Sequence, residues 1–209
     1  MKKGILGGTF DPIHNGHIYL AENAYREFSL DMVLLMPANV PYFKTALHKV
    51  TDASLRLKMT ELAVEDIDYM KASSFELGIK GNTYTSDTIL RLKKEYPDDE
   101  FYFIMGADSL FKLESWRRPD ILLKNAVILC AGREQASDEV SLEEEISRLK
   151  DKYRALKPDI RPMSCENIDI SSTEIRELLS SGGDVTGLLP DKVLEFIKKN
   201  SLYKTCNIL

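Results

Sequence analysis

Four short apolar runs, Lys3–Leu6, Met32–Met36, Glu100–Met105 and Ala126–Ala131, alternate with segments of helical period along most of the chain. Each run is punctuated by Gly, Pro or Asp, as short buried strands are. Between and beside them, Gly16–Phe28, Ala53–Glu65, Ser86–Glu95 and Arg118–Lys124 carry helix-length spacing with charged outer faces. Met70–Ile79 reads as extended, crossing or pairing with a sheet edge. This β-α-β alternation predicts an α/β fold: an open, mostly parallel sheet with helices on both faces. In such sheets ligands bind beyond the carboxyl ends of the strands, where the strand order reverses. Two further helices, Ser172–Ser180 and Asp191–Asn200, close the chain. Pro190 precedes the second, which turns Val193, Leu194 and Ile197 inward. They form a helical C-terminal subregion, about 171–205, of one domain spanning residues 1–209.

Charge narrows the partners. The 33 acidic and 28 basic residues leave a net charge of −5, which argues against a nucleic-acid coat or an electrostatic membrane binder. No apolar run approaches the ~18 residues of a membrane span. Met1-Lys2-Lys3-Gly4 leads straight into a strand rather than a signal peptide, so the expected address is the cytoplasm. Cys130, Cys165 and Cys206 are odd in number and widely spaced, against a disulfide framework. The most polar stretch, Glu134–Lys152, places Glu143-Glu144-Glu145 before Arg148, Lys150 and Lys152. It reads either as an acidic docking face or, more plainly, as a solvated helix with acid–base pairs at helical spacing.

The first strand runs into Gly7-Gly8-Thr9-Phe10-Asp11-Pro12-Ile13-His14-Asn15-Gly16-His17 before a helix begins. Consecutive glycines let backbone amides approach an anion, and the helix N-terminus adds free N–H groups and the positive end of its dipole. Two of the chain's three histidines, His14 and His17, lie in this turn. There is no Gly-loop Lys-Ser/Thr and no G-x-G-x-x-G, which excludes a P-loop and a dinucleotide fingerprint. The His pair alone would make a metal half-site, but no paired cysteines complete it, and no protein metal site is expected. As a set the loop reads as a phosphate cradle.

The spelling Gly-Gly-Thr-Phe-Asp-Pro-x-His-x-Gly-His resembles the signature of the nucleotidyltransferase superfamily named for its His-x-Gly-His motif, in its nicotinate-nucleotide adenylyltransferase branch. Thr83-Tyr84-Thr85-Ser86-Asp87-Thr88 is similar to the branch's (Ser/Thr)-Tyr-Thr-x-Asp-Thr. Gly106-Ala107-Asp108 follows a strand, with Trp116 eight residues on. Ile170-Ser171-Ser172-Thr173-Glu174-Ile175-Arg176 resembles Ile-Ser-Ser-Thr-x-Ile-Arg. One departure is Pro41-Tyr42-Phe43-Lys44, where the branch usually reads Pro-Pro-His-Lys.

The resemblance implies a Rossmann-like fold and an enzyme moving the adenylyl group of ATP onto nicotinate mononucleotide, yielding nicotinate adenine dinucleotide and pyrophosphate towards NAD. It implies His17, and to a lesser degree His14, as the catalytic imidazoles. Gly7, Gly8, Thr9, Phe10, Gly106, Asp108, Ser171, Ser172 and Arg176 would bind ATP together with His17. Lys44, Thr85 and Trp116 would bind the mononucleotide, Trp116 by stacking on the pyridine ring. Magnesium would be bound mainly through the ATP phosphates, with Asp108 holding its water shell or the adenosine ribose. Arg133 is a weaker candidate for the ATP site. Plainer readings stand beside these: Ser171-x-x-Glu174 is also a capping box, and a lone tryptophan is commonly a core residue. The alternatives are a same-fold transferase acting on nicotinamide mononucleotide, or a non-catalytic nucleotide sensor. The sequence is compatible with a homo-oligomer and does not specify one.

Overall fold

The computed structural model describes residues 1–41, 50–79, 81–132, 141–165 and 170–204. Tyr42, Phe43, Lys44, Arg133 and Cys206, singled out above, lie outside the described residues.

The strands are β1 (Lys2–Gly8), β2 (Met32–Pro37), β3 (Val40–Pro41), β4 (Met70–Ala72), β5 (Asn82–Thr83), β6 (Glu100–Gly106), β7 (Val127–Ala131) and β8 (Ile160–Met163). The helices are α1 (Asn15–Glu27), α2 (Ala53–Val64), α3 (Thr85–Glu95), α4 (Ala107–Phe111), α5 (Pro119–Asn125), α6 (Leu142–Lys152), α7 (Ser172–Ser181) and α8 (Asp191–Lys199). Six strands form one sheet in the order β4-β2-β1-β6-β7-β8, with every pairing parallel. Counting only these six, the order is 3-2-1-4-5-6, the doubly wound arrangement whose switch point falls between the first and fourth strands. Here that is the gap between β1 and β6, which pair from Lys2↔Glu100 to Leu6↔Ile104. A two-residue parallel pair, β3 with β5, stands apart from the main sheet.

Alternate residues of each strand feed opposite cores, which is why the runs read as continuously apolar. Leu6, Leu35, Ile104 and Leu129 meet Ala21 and Ala24 of α1, Met59 of α2, Ile175 of α7, and Val193 and Ile197 of α8. Ile5, Phe103, Met105 and Ile128 meet Ile89 and Leu92 of α3, Leu110 of α4, Leu122 of α5, and Ile146 and Leu149 of α6. Gly4 is a packing glycine at the centre of β1: a Cβ there would lie 2.9 Å from Leu30 Cδ1.

Several expectations need correction. Only Met70–Ala72 of the Met70–Ile79 segment is a strand; Phe75–Gly78 turns, with Leu77 N–H donating to the Ser74 carbonyl at 2.9 Å and Ile79 N–H to that of Glu76 at 3.0 Å. The edge strand β8 was not foreseen. The polar stretch is indeed helical over Leu142–Lys152, capped by Ser141, whose hydroxyl accepts from Glu144 N–H while the Glu144 carboxylate accepts from Ser141 N–H. It is not wholly solvated: Glu145 is 5% exposed and paired with Arg148. Nor are the charges of α2 all outward, since Arg56 is 1% exposed. Neither Cys130 nor Cys165 is in a disulfide, and burial pushes the Cys130 thiol up to about 12.

Candidate active site

The loop from β1 to α1 crosses the carboxyl end of the sheet at the switch point. Gly8 is required there by a close approach, because a Cβ would fall 2.6 Å from Phe10 Cε1. Phe10 adopts φ +49°, a left-handed conformation uncommon for a bulky residue. Its ring is 2% exposed and meets His17 edge-on at 4.8 Å. The Asp11–Pro12 peptide that follows is cis.

His14 occupies the N-cap of α1 and is 5% exposed, while His17 is half-buried one turn into the helix. The two rings lie 3.7 Å apart at 30°. His14 N–H donates to His17 Nδ1 at 3.3 Å. An Nδ1 that accepts a hydrogen bond leaves the hydrogen of a neutral imidazole on Nε2, so His17 is set as an Nε2–H donor.

The N-terminus of α7 docks on this same loop. Ser172 Oγ donates to the Pro12 carbonyl at 3.0 Å, and an Arg176 terminal nitrogen (Nη1) donates to the Asp11 carbonyl at 2.7 Å. That nitrogen also reaches the Ser172 carbonyl at 3.1 Å, and Nη2 the Thr173 hydroxyl at 3.2 Å. Ser171 is the N-cap of α7, its hydroxyl accepting from Glu174 N–H at 3.1 Å.

Beneath the loop lies a polar bracket that sequence reasoning missed. Arg56 donates to the carbonyls of Thr9 at 2.6 Å, Asn39 at 2.9 Å and Thr51 at 2.8 Å. It thereby joins the loop after β1, the loop after β2 and the entry to α2. Asp11, 2% exposed, accepts from the Tyr203 hydroxyl at 2.6 Å and from Thr51 N–H at 3.2 Å. Burial, reinforced by the Asp11 charge, pushes the Tyr203 phenol well above its usual range.

On the other side of the loop opens a cavity of about 530 Å³. Gly7, Gly8 and Thr9 form one wall and Trp116 with Arg117 another; Thr83–Thr85 at the start of α3, Thr88, Ser109 and Glu76 also line it. Trp116 is half-buried and meets Phe103 edge-on at 6.1 Å, so it is neither a core residue nor a loose surface ring. Its turn is tied to α6 through Glu114, whose carboxylate is held low by Lys152 and Arg148. Glu76 accepts from the Thr88 hydroxyl at 2.6 Å, and burial pushes its carboxyl above the usual range. No signal in the sequence marked Glu76, because its neighbours are unpatterned. Of the other residues named above, Gly106 is the N-cap of α4, and Asp108 is exposed in that helix's first turn, beside the lining residue Ser109. The structure thus gathers Gly7, Gly8, Thr9, Thr85 and Trp116 at one cavity. His14, His17, Ser172 and Arg176 are gathered along the adjoining loop.

A parallel sheet of this order, with a glycine loop and a donor imidazole at its switch point, is the build of a nucleotide-handling α/β protein. Residues 5–178 match the family described as Cytidylyltransferase-like, and the chain belongs to it. Within that family its relatives are consistent. A Lachnoclostridium phytofermentans protein named "Probable nicotinate-nucleotide adenylyltransferase" is 40% identical over 202 residues, covering 97% of this chain and 98% of its own. A Clostridium tetani protein of the same name is 37% identical over 205 residues, covering 97% and 99%. The chain is therefore a member of the nicotinate-nucleotide adenylyltransferase family. The fold is shared with Plasmodium falciparum nicotinic acid mononucleotide adenylyltransferase complexed with NaAD, at a TM-score of 0.75 and 18% identity over 97% of both chains. The same enzyme complexed with APC gives 0.73 and 18%, over 97% of this chain and 96% of that one.

Proposed function

We propose that this chain joins ATP to nicotinate mononucleotide, releasing pyrophosphate and forming nicotinate adenine dinucleotide, and that residues 1–209 act as one domain. The observation that carries this reading is the cavity at the β1/β6 switch point, walled by the Gly7–Thr9 backbone and by the half-buried Trp116 ring. A flat cationic pyridinium gains stacking and cation–π attraction on an indole face. The glycine backbone and the N-terminus of α1 suit phosphate.

In the reaction an oxygen of the mononucleotide phosphate forms a bond to the α-phosphorus of ATP. The bond from that phosphorus to the oxygen bridging to the β-phosphate breaks, and pyrophosphate departs. The attacking group is already anionic, so the chain supplies positioning and charge stabilisation rather than a nucleophile. His17, with its proton on Nε2, donates to an oxygen that gains charge in the transition state. His14 holds the tautomer and orientation of that ring through its backbone N–H. Ser172 keeps the loop seated through its hydroxyl, Arg176 does so while presenting its remaining donors to the triphosphate, and Ser171 serves that helix as its cap. Among the described residues no three His, Cys, Asp or Glu side chains form a metal-holding cluster; the amide and imidazole donors suit the phosphates, and Asp108 is the oxygen group that would hold the water shell of magnesium brought in on them. When bound, magnesium would neutralise charge on the departing pyrophosphate.

The test is pyrophosphate release from ATP with nicotinate mononucleotide, run in parallel with nicotinamide mononucleotide. Release with the acid well above that with the amide supports the reading. Equal release with both would move the assignment to an amide-tolerant transferase. Nucleotide binding without release would mark a sensor.

A further inference from the structure

Trp116 is the chain's only tryptophan, and it closes a single 3₁₀ turn, Leu113–Ser115. Within that turn Trp116 N–H donates to the Leu113 carbonyl at 3.0 Å, and the Ser115 hydroxyl donates to that of Lys112 at 2.6 Å. So short an element has little stability of its own. Leu113 is fully buried and roots the turn in the core shared by Phe103 and Leu110. The next residue, Glu114, is claimed by α6. Arg148 Nη2 donates to Glu114 Oε2 at 2.7 Å, while Lys152 and the Tyr153 hydroxyl, the latter at 3.4 Å, meet the other oxygen. Arg148 is in turn gripped at both Nε and Nη2 by the buried Glu145, each at 2.7 Å.

The charges of α6 are spaced as on a solvated helix, yet Arg148 and Lys152, one turn apart on one face, both reach off it to the same carboxylate. A lone exposed ion pair does little. This one is shared: Glu114 is 29% exposed, two cations hold it, and the buried Glu145 has already ordered one of them. The clamp stands two residues before the ring that walls the cavity. We propose that Glu114 is a positioning residue for Trp116, through which α6 fixes where the ring stands and so how tightly the site takes a mononucleotide. Without the clamp the turn loses its tie to α6, the ring samples other orientations, and binding must freeze them out. The part concerning affinity rests on reading the cavity as the mononucleotide subsite; the part concerning the ring does not.

Because the chain has one tryptophan, its fluorescence reports this ring alone. Emission, acrylamide quenching and a thermal melt are measured without ligand for the unaltered protein, Glu114→Gln and Lys152→Gln. Quenching should strengthen and emission move to longer wavelength in Glu114→Gln, and less so in Lys152→Gln, with both still folded. Added salt should move the unaltered protein the same way and leave Glu114→Gln level. Pyrophosphate release at saturating ATP then gives KM for nicotinate mononucleotide. At a few-fold for each of two partly exposed pairs, that KM should rise about three- to tenfold in Glu114→Gln, with kcat and KM for ATP level. The same change made on top of Trp116→Ala should add little. An unmoved ring signal, a shift of melting point alone, or an undiminished loss in the Trp116→Ala background overturns the positioning role. A moved ring with KM unchanged overturns its bearing on affinity. No release from the unaltered protein would overturn the substrate reading, while the ring signal still decides whether Glu114 places Trp116.

Discussion

Replacing Arg56 with methionine keeps a long, flexible stem and removes all five donors. Three carbonyls, those of Thr9, Asn39 and Thr51, then lose their partner inside the protein. Each orphaned buried acceptor costs about 1–3 kcal/mol. Against that sum stands the relief of a desolvated guanidinium, whose burial holds it below its usual range. Asp11 also loses its nearby positive charge. Breaking one side of a buried charged network costs about 3–5 kcal/mol in measured cases, and we take that as the net effect. At ~2–4 °C per kcal/mol for a chain of this size, the melting point should fall by roughly 6–20 °C. Scanning calorimetry gives the fall directly. Turnover measured well below the new melting point should drop too, because the loops after β1 and β2 lose their shared anchor. Arg56→Lys, whose three donors radiate from a single nitrogen and cannot span three separate carbonyls, should lie between. A methionine variant melting within about 2 °C of the unaltered protein would refute the bracket and mean that water satisfies those carbonyls equally well.

His17→Ala should lower turnover by about 10²–10³-fold, the scale of one lost transition-state donor, with the melting point little changed; near-normal turnover would remove His17 from the chemistry. Ser171→Ala should cost about 0.5–2 kcal/mol of stability as a lost cap and leave ATP affinity intact, whereas Arg176→Ala should weaken ATP more than the mononucleotide in calorimetric titrations. Glu76→Gln tests the raised carboxyl. The folded state holds its proton more tightly than the unfolded chain does, so the stability it contributes is full below the ordinary value of 4.5 and is lost as pH rises through the folded value. The glutamine keeps the Thr88 bond without a charge, so its melting point should gain on the unaltered protein as pH rises from 4.5, and parallel curves would contradict the burial argument.

The sequence disclosed what local period encodes. The four central strands and helices α1, α2, α3, α5, α7 and α8 lie within a residue or two of their expected limits, because strands buried on both faces must be apolar throughout, whereas the short α4 was not foreseen. It did not disclose β8, whose Arg161-Pro162 interrupts the apolar pattern and is tolerated because β8 pairs on one side only, with β7. The motif residues of the β1–α1 loop, α3, Trp116 and α7 were legible through resemblance, and the fold brings most of them to one end of the sheet. Arg56, Asp11 and Tyr203 were not legible as a unit. An arginine in a helix with other charged residues looks like any solvent-facing charge, and only the approach of three separate loops makes it a buried one. Glu76 escaped for a similar reason, since its partner Thr88 belongs to a different element.

The Tyr203 hydroxyl reaches Asp11 across 192 residues of sequence. On a ribosome adding ~5–20 residues per second, the second partner is made roughly 10–40 s after the first. The glycine loop is thus synthesised well before the tyrosine that fastens it. β1 likewise waits for residues 100–104 before both of its edges are paired. A nascent chain stalled short of its last helix would carry the whole His-x-Gly-His signature and yet hold that loop without its brace. The loop's full set of contacts is thereby deferred until Tyr203 has been made.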